Sequence, residues 1–243
     1  MRYLIKFSYD GTNFTGFQKQ PNKRTIQSCI EEAATKVNND NKVNLVATGR
    51  TDKGVHALVQ YAHIDIDVDI TEYKLKRALN TFLPDDIHII STKTVNKDFN
   101  ARYDVKEKTY KYYINVGEYN PITRNYMFQY NHELNIENMK ECIKEFIGMH
   151  DFRAFVTENK EKENCVREIY KATIEEKNEI ICITFTGNGF LRYQVRNMVG
   201  ILIKAGENKI TKEDIKKIIE SKDRTKSGKT APAVGLFLTD IKY

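Results

Sequence analysis

Ala62-His63-Ile64-Asp65-Ile66-Asp67-Val68-Asp69-Ile70 alternates apolar and polar side chains without a break. A repeat of two is the repeat of a strand. One greasy face set against one wet face is the pattern of an antiparallel strand covered on a single side. Upstream, Arg2 to Tyr9 reads as a strand entering a Gly-containing turn, Asp10 to Gly16. Ile26, Ile30, Ala33, Ala34 and Val37 then recur at helical spacing, with Thr25 placed as the N-cap. Val43, Leu45 and Ala47 alternate as a strand, and the turn Gly49 to Gly54 leads to the stretch quoted first. Downstream lie a short helix, Thr71 to Asn80, and a strand near Ile87 to Thr94. The order β-α-β-β-α-β predicts a ferredoxin-like unit, with helices on one face of an antiparallel sheet.

The second half offers a comparable set. A strand runs through Tyr110, Tyr112, Ile114 and Val116, and a helix from about Ile136 to Ile147. Two strands flank Lys177-Asn178, and a long helix is expected over Phe190 to Ala205. A shorter helix begins at Thr211, where Asp214 suits a capping box less well than Glu would. A last strand lies near Gly235 to Ile241. The fold class expected is therefore α+β: two ferredoxin-like halves, residues 1–100 and 101–243, sharing a continuous mixed, mainly antiparallel sheet with a central cleft.

Bulk properties bound the function without deciding it. The chain has 243 residues, 40% apolar and 30% charged, an ordinary globular composition. A net charge of +6 fits a polyanionic partner and fits plain solubility equally well. Met1 to Phe7 lacks the apolar core of a signal peptide, and no apolar run is long enough to span a membrane. Cys29, Cys142, Cys165 and Cys182 form no C-x-x-C pair and gather no His at zinc spacing. The expectation is a cytoplasmic protein with reduced thiols and no metal. Ser227-Gly228-Lys229-Thr230 imitates the end of a phosphate-binding loop, but Asp223 stands where the earlier glycine is required and Pro232 follows closely. Nucleotide-triphosphate binding is excluded on that ground.

Three features could carry chemistry. In Gly49-Arg50-Thr51-Asp52-Lys53-Gly54-Val55-His56-Ala57, two glycines bracket four polar residues and permit a tight path that aims the side chains between them. Asp52 there is a nucleophile or base, or it caps its own turn, and taken alone the turn reading is favoured. Arg50 is a salt-bridge residue or an RNA contact, and His56 is read as structural or superficial. The second feature is Arg196, set among apolar residues from Val195 to Ile203. A helix so apolar is largely buried. A guanidinium inside it needs a carboxylate partner, unless it sits at the helix end and snorkels to water. Arg192, one turn earlier, reaches solvent or phosphate. Third, Tyr103, Tyr110, Tyr112 and Tyr113 stand among Arg102, Lys106, Lys108 and Lys111. Aromatics among cations suit base stacking, although strand aromatics also fill cores. The basic loops Lys19 to Arg24 and Lys222 to Lys229 are docking elements or solvated surface.

These motifs occur together in one order. Tyr9-Asp10-Gly11 with Gly16-Phe17-Gln18, Gly49 to Ala57, Leu83-Pro84, Phe99-Asn100-Ala101-Arg102 and Tyr110-Lys111-Tyr112 lie in the first part. His150-Asp151-Phe152, Gly187-Asn188-Gly189-Phe190-Leu191, Val195 to Gly200, and Thr230-Ala231-Pro232-Ala233 with Gly235-Leu236 follow. The sequence resembles the TruA family of tRNA pseudouridine synthases essentially from end to end. It departs at Lys53, where Ala is frequent, and at Phe17, where Trp is frequent. The resemblance implies an isomerase without cofactor, acting as a homodimer on tRNA at positions 38, 39 and 40 of the anticodon arm. It implies that Asp52 is the catalytic aspartate, that Arg196 keeps it ionised, and that Tyr110 packs on the base and serves proton transfer at C5. Arg50 is expected to orient the loop and help extrude the nucleotide. Gln18, Arg24 and Arg192 are expected as further substrate contacts. Attack on ribose C1′, formation of a glycal and attack on uracil C6 all remain open to the carboxylate. The rivals are a non-catalytic RNA-binding protein on the same fold and an unrelated small-molecule enzyme using Asp52 as a base.

Overall fold

The computed structural model describes residues 1–156 and 164–243. The chain forms two compact units, Met1–Lys106 with Leu238–Tyr243, and Glu107–Phe237.

The first unit contains β1 (Arg2–Tyr9), α1 (Ile26–Val37), β2 (Val46–Ala47), β3 (His56–Asp65), α2 (Glu72–Phe82) and β4 (Ile87–Val95). The strands lie in the order β4-β1-β3-β2, every pair antiparallel, which is the ferredoxin-like arrangement expected. In β1, Tyr3, Ile5, Phe7 and Tyr9 point inward and their neighbours outward, so the period of two is realised residue by residue. Ile30, Ala33 and Ala34 of α1 and Leu75 and Leu79 of α2 complete this core. Thr25 caps α1 as read: its hydroxyl accepts from the Ser28 N–H, and Ser28 returns the bond to complete a capping box.

Two expectations for this unit need correction. The strand through Val43, Leu45 and Ala47 shrinks to β2, because the N–H groups of Val43 and Leu45 donate to Thr35 Oγ1 and Glu31 Oε1 of α1 instead of to a neighbouring strand. The alternating stretch starts its ladder earlier, at His56, and leaves it after Asp65, where Asp67 N–H turns to Asn38 Oδ1 at 2.7 Å. Its polar face is also less wet than the pattern implies. His63 is buried and its Nδ1 accepts from Ala101 N–H at 3.1 Å, because the 100–101 segment covers it. That burial pulls the His63 pKa down.

The second unit contains β5 (Glu107–Asn115), β6 (Phe128–Gln129), α3 (Ile136–Ile143), β7 (Gly148–Asp151), β8 (Val166–Lys177), β9 (Ile180–Gly187), α4 (Gln194–Gly206) and α5 (Lys212–Ser221). The order β5-β9-β8-β7 is antiparallel, and β6 lies parallel beside β5, so the class is mixed and mainly antiparallel as expected. β8 and β9 meet in a two-residue turn with Asn178 and Glu179 both at positive φ, the geometry that matches strand twist. Tyr112, Ile114, Phe185, Met198 and Leu202 form the centre of this core, with Phe146, Phe152 and Phe155 edge to face. The last strand, β10 (Leu236–Lys242), returns the chain to the first unit, where Lys106 N–H donates to Lys242 O.

Here the helices differ from expectation at their ends. α3 stops at Ile143 and gives way to a tighter turn, Lys144–Phe146. α4 begins at Gln194, not Phe190, because Tyr193 takes a left-handed conformation, φ 63°, that no α-helix continues through. Arg192 therefore precedes the helix and is not one turn back on its face. Asp214 closes the capping box on Thr211 in spite of its shorter side chain, its carboxylate accepting from Thr211 N–H at 3.0 Å.

Candidate active site

The Gly49–Gly54 loop lies between β2 and β3 of the first unit and is held along its whole length. At its start, Thr48 N–H donates to Tyr61 O at 2.9 Å. The Tyr243 hydroxyl lies 2.5 Å from Thr48 Oγ1 and 3.1 Å from Ala101 O, and burial pushes that phenol up to about 12. Gln60 Nε2 donates to Gly49 O at 3.2 Å. In the middle, Thr51 O accepts from Phe17 N–H at 3.1 Å and its hydroxyl meets Tyr9 OH at 2.8 Å. At the end, Val55 N–H donates to Asp52 O at 3.2 Å, so Asp52 opens a tight turn through its backbone. Gly54 completes that turn at φ 78°.

Two further glycines explain why the loop can be gripped so closely. Gly16 has φ +110°, and a Cβ there would lie 3.4 Å from Lys53 N. A Cβ on Gly11 would come within 2.0 Å of Val55 O, so the turn after β1 lies flat on the loop. The 16–17 segment is itself tied to α1, since Gln27 N–H donates to Phe17 O at 3.0 Å. The result is a half-buried Asp52 whose backbone is fixed before any ligand arrives, with Arg50 and Lys53 exposed on either side. His56 is 2% exposed, with Nδ1 accepting from Gly11 N–H at 3.1 Å. It is structural.

In the second unit the residues of interest surround the start of α4. Arg196 is half-buried; its Nε donates to Ala231 O at 2.8 Å and its backbone O accepts from Ala231 N–H at 3.1 Å. Its guanidinium lies against the Tyr193 ring, 5.0 Å from the centroid, and that of Arg192 lies 5.1 Å from the same ring. The left-handed backbone at Tyr193 costs roughly 1–2 kcal/mol. It is retained at a position that stacks two cations, and strain of that kind concentrates at functional sites. A Cβ on Gly200 would sit 2.0 Å from Lys229 O, so α4 and the 229–231 segment pack backbone to backbone. Tyr110 of β5 is 8% exposed, with its ring edge to face with Phe190 at 5.2 Å. Tyr112, two residues on, is a core residue: its hydroxyl donates to Pro232 O at 2.7 Å, and burial raises its pKa.

Of the remaining expected contacts, Gln18 is exposed directly after the bond between Phe17 and Thr51. Arg24 is exposed but engaged: both Nη atoms fork onto the Asp86 carboxylate at 2.8 Å, and the guanidinium covers the Phe14 ring at 4.0 Å. That fork raises the Arg24 pKa. The loop Lys19 to Arg24 lines an open depression of about 530 Å³ with Ser28 and Glu32. Within Lys222 to Lys229, Arg224 turns inward instead of to solvent. Its Nη atoms donate to Ser227 Oγ, Gly228 O, Asn197 Oδ1 and Thr230 Oγ1 at 2.8–3.0 Å, and Asn197 Nδ2 donates to Phe155 O at 2.7 Å. One signal of this network is legible in the sequence, a polar Asn197 inside an apolar helix. Among the described residues, no three His, Cys, Asp or Glu side chains gather as a metal site, and no helix is long and apolar enough to cross a membrane.

Comparison with known proteins bears directly on this loop and helix. A family model described as tRNA pseudouridine synthase matches residues 5–104 and 142–243, which takes in both. The chain is 43% identical over its full length to tRNA pseudouridine synthase A of Limosilactobacillus reuteri, covering 96% of that protein. It is 44% identical to the proteins of that name in Streptococcus agalactiae, over the whole chain and 95% of the relative, and in Caldicellulosiruptor bescii, over 99% of the chain and 98% of the relative. A glycine-bracketed acid and an Arg-bearing apolar helix, in a chain matched from end to end, leave one conclusion: this protein belongs to the tRNA pseudouridine synthase family.

Proposed function

We propose that this isomerase converts uridine to pseudouridine at positions 38, 39 and 40 of the tRNA anticodon arm, with Asp52 as its catalytic carboxylate. The bond from uracil N1 to ribose C1′ breaks, the base turns, and C5 bonds to C1′. N1 gains a proton and C5 loses one. No atom is added, and no oxidant or energy source enters the balance. Asp52 supplies the negative oxygen that assists at the sugar or the base, and Arg196 favours its ionised form. Tyr110 packs on the turned base and serves the proton transfer at C5. Arg50, Gln18 and Arg192 contact the RNA, while Arg24 braces its loop through Asp86 and adds positive charge to the docking surface. The nucleotide is turned out of its stack, because C1′ and C5 are out of reach inside a helix. A homodimer working in the cytoplasm completes the proposal.

The observation that carries this reading is the bracing of the Asp52 turn. Thr51, Asp52 and Gly49 each have a backbone carbonyl bonded to a fixed partner, and two close-packed glycines press on the loop. A turn-capping aspartate in a surface loop does not need that support; a catalytic one does. The test is to incubate unmodified tRNA with the protein and no additive, then map pseudouridine by nucleotide. Modification confined to positions 38–40 supports the proposal. Modification elsewhere, or none, contradicts it.

A further inference from the structure

We propose that Tyr193 is a positioning residue for Arg196: its ring clamps the Arg196 guanidinium at the start of α4 and so sets the direction in which that cation faces. The inference rests on the reading of Arg196 as the partner of the catalytic carboxylate. Three observations carry it. The ring lies against two guanidiniums at once, at 5.0 Å from Arg196 and 5.1 Å from Arg192. Residue 193 is the helix N-cap but offers no side-chain cap, so it is not there for the usual reason that a polar residue occupies that place. It also holds φ 63°, a conformation suited to Gly or Asn, and a tyrosine there is explained by its ring and not by its backbone.

The geometry divides the labour. Tyr193 O accepts from Asn197 N–H at 2.9 Å, which anchors residue 193 to the first turn of the helix. Leu191 N–H donates to Gln194 Oε1 at 2.8 Å, and Gln194 N–H donates to Leu191 O at 3.1 Å, which fixes the approach to it. The backbone that carries the ring is thus fixed at the N-cap of α4, three residues before Arg196. Ala231 O occupies Arg196 Nε at 2.8 Å, and the guanidinium carbon lies over the Tyr193 ring, 5.0 Å from its centroid. Recognition of a carboxylate then falls to the Nη edge, presented in a single orientation. A planar cation held on two sides needs little reorganisation when the negative oxygen requires it.

Asn tolerates the left-handed backbone, so Tyr193→Asn removes the ring and keeps the chain path. The experiment measures kcat, KM for tRNA and the kcat–pH profile of Tyr193→Asn, Tyr193→Phe and Arg196→Met, with thermal melting of each. Tyr193→Asn is expected to lose about tenfold in kcat with KM changed less than about twofold, and the acidic limb of its profile moves to higher pH. Tyr193→Phe, which keeps the ring, restores kcat to within about twofold. Adding Tyr193→Asn to Arg196→Met costs nothing further, because the residue acts through that arginine. If Tyr193→Asn does not fold, Tyr193→Gly carries the same comparison. Wild-type kcat and pH profile in Tyr193→Asn, or a loss in Tyr193→Phe as large as in Tyr193→Asn, overturns the inference while a damaged Arg196→Met leaves the reading of Arg196 intact. Wild-type turnover in Arg196→Met overturns both.

Discussion

A carboxylate helps to break a glycosidic bond only while it is ionised, and partial burial works against that. The residue that offsets the cost must be a cation that cannot itself deprotonate, which selects arginine over lysine. In the proposed function that cation is Arg196, which is mounted by Ala231 and Tyr193. Arg196→Met is expected to lower single-turnover pseudouridine formation on the order of 100-fold or more, since the proposal makes Arg196 one member of a desolvated pair. Unchanged rates would show that the pairing does not exist. Arg224 is the opposite case, a cation whose contacts are all internal to the fold. Arg224→Met is expected to cost roughly 2–3 kcal/mol of stability while leaving the salt dependence of tRNA binding unaltered. A chemical melt at wild-type midpoint, or a shallower salt slope, would return it to the RNA-binding surface. Sequence reading placed Arg196 correctly on an apolar helix and grouped Arg224 with a solvated loop. The difference is physical: periodicity reports which helix face is buried, but nothing local reports which way a loop side chain turns.

Elements explain why the Asp52 loop is stiff. Gly11 and Gly16 allow the turn after β1 to lie on the backbone of the Asp52 turn, and β1 and α1 hold that turn in place. Gly11→Ala is expected to force the loop outward, lowering the melting temperature by several degrees and turnover by about tenfold or more, because the new Cβ meets a carbonyl oxygen instead of a movable side chain. Activity and melting at wild-type values would show that the loop is not braced there. Most elements were legible from their periods: β1, α1, α2 and the β8–β9 hairpin stand where spacing placed them. Val43 and Leu45 look like strand because they alternate, yet side chains of α1 take their N–H groups. Phe190 and Leu191 extend an apolar run, yet the left-handed backbone at Tyr193 delays the start of the helix until after them. Hydrogen bonds from outside the local pattern decided the first outcome, and the backbone conformation of one residue decided the second.

For the molecule as a whole, the relevant partner is a polyanion. A net charge of +6 did not identify it, because the same balance serves plain solubility. Motif order did, and the match over residues 5–104 and 142–243 bears it out. tRNA affinity is expected to fall at least about tenfold between roughly 50 and 200 mM salt, as phosphate contacts release counterions. Binding indifferent to salt would remove Arg50, Arg192 and the Lys19–Arg24 loop from the docking surface. The most direct measurement concerns the acid itself. Asp52→Ala should bind unmodified tRNA with near wild-type affinity, since the backbone bonds from Phe17 and Val55 do not use its side chain. Pseudouridine mapped in that tRNA after prolonged incubation should be absent at every position. Full conversion by Asp52→Ala would contradict the account, because another group would then be performing the chemistry assigned to this carboxylate.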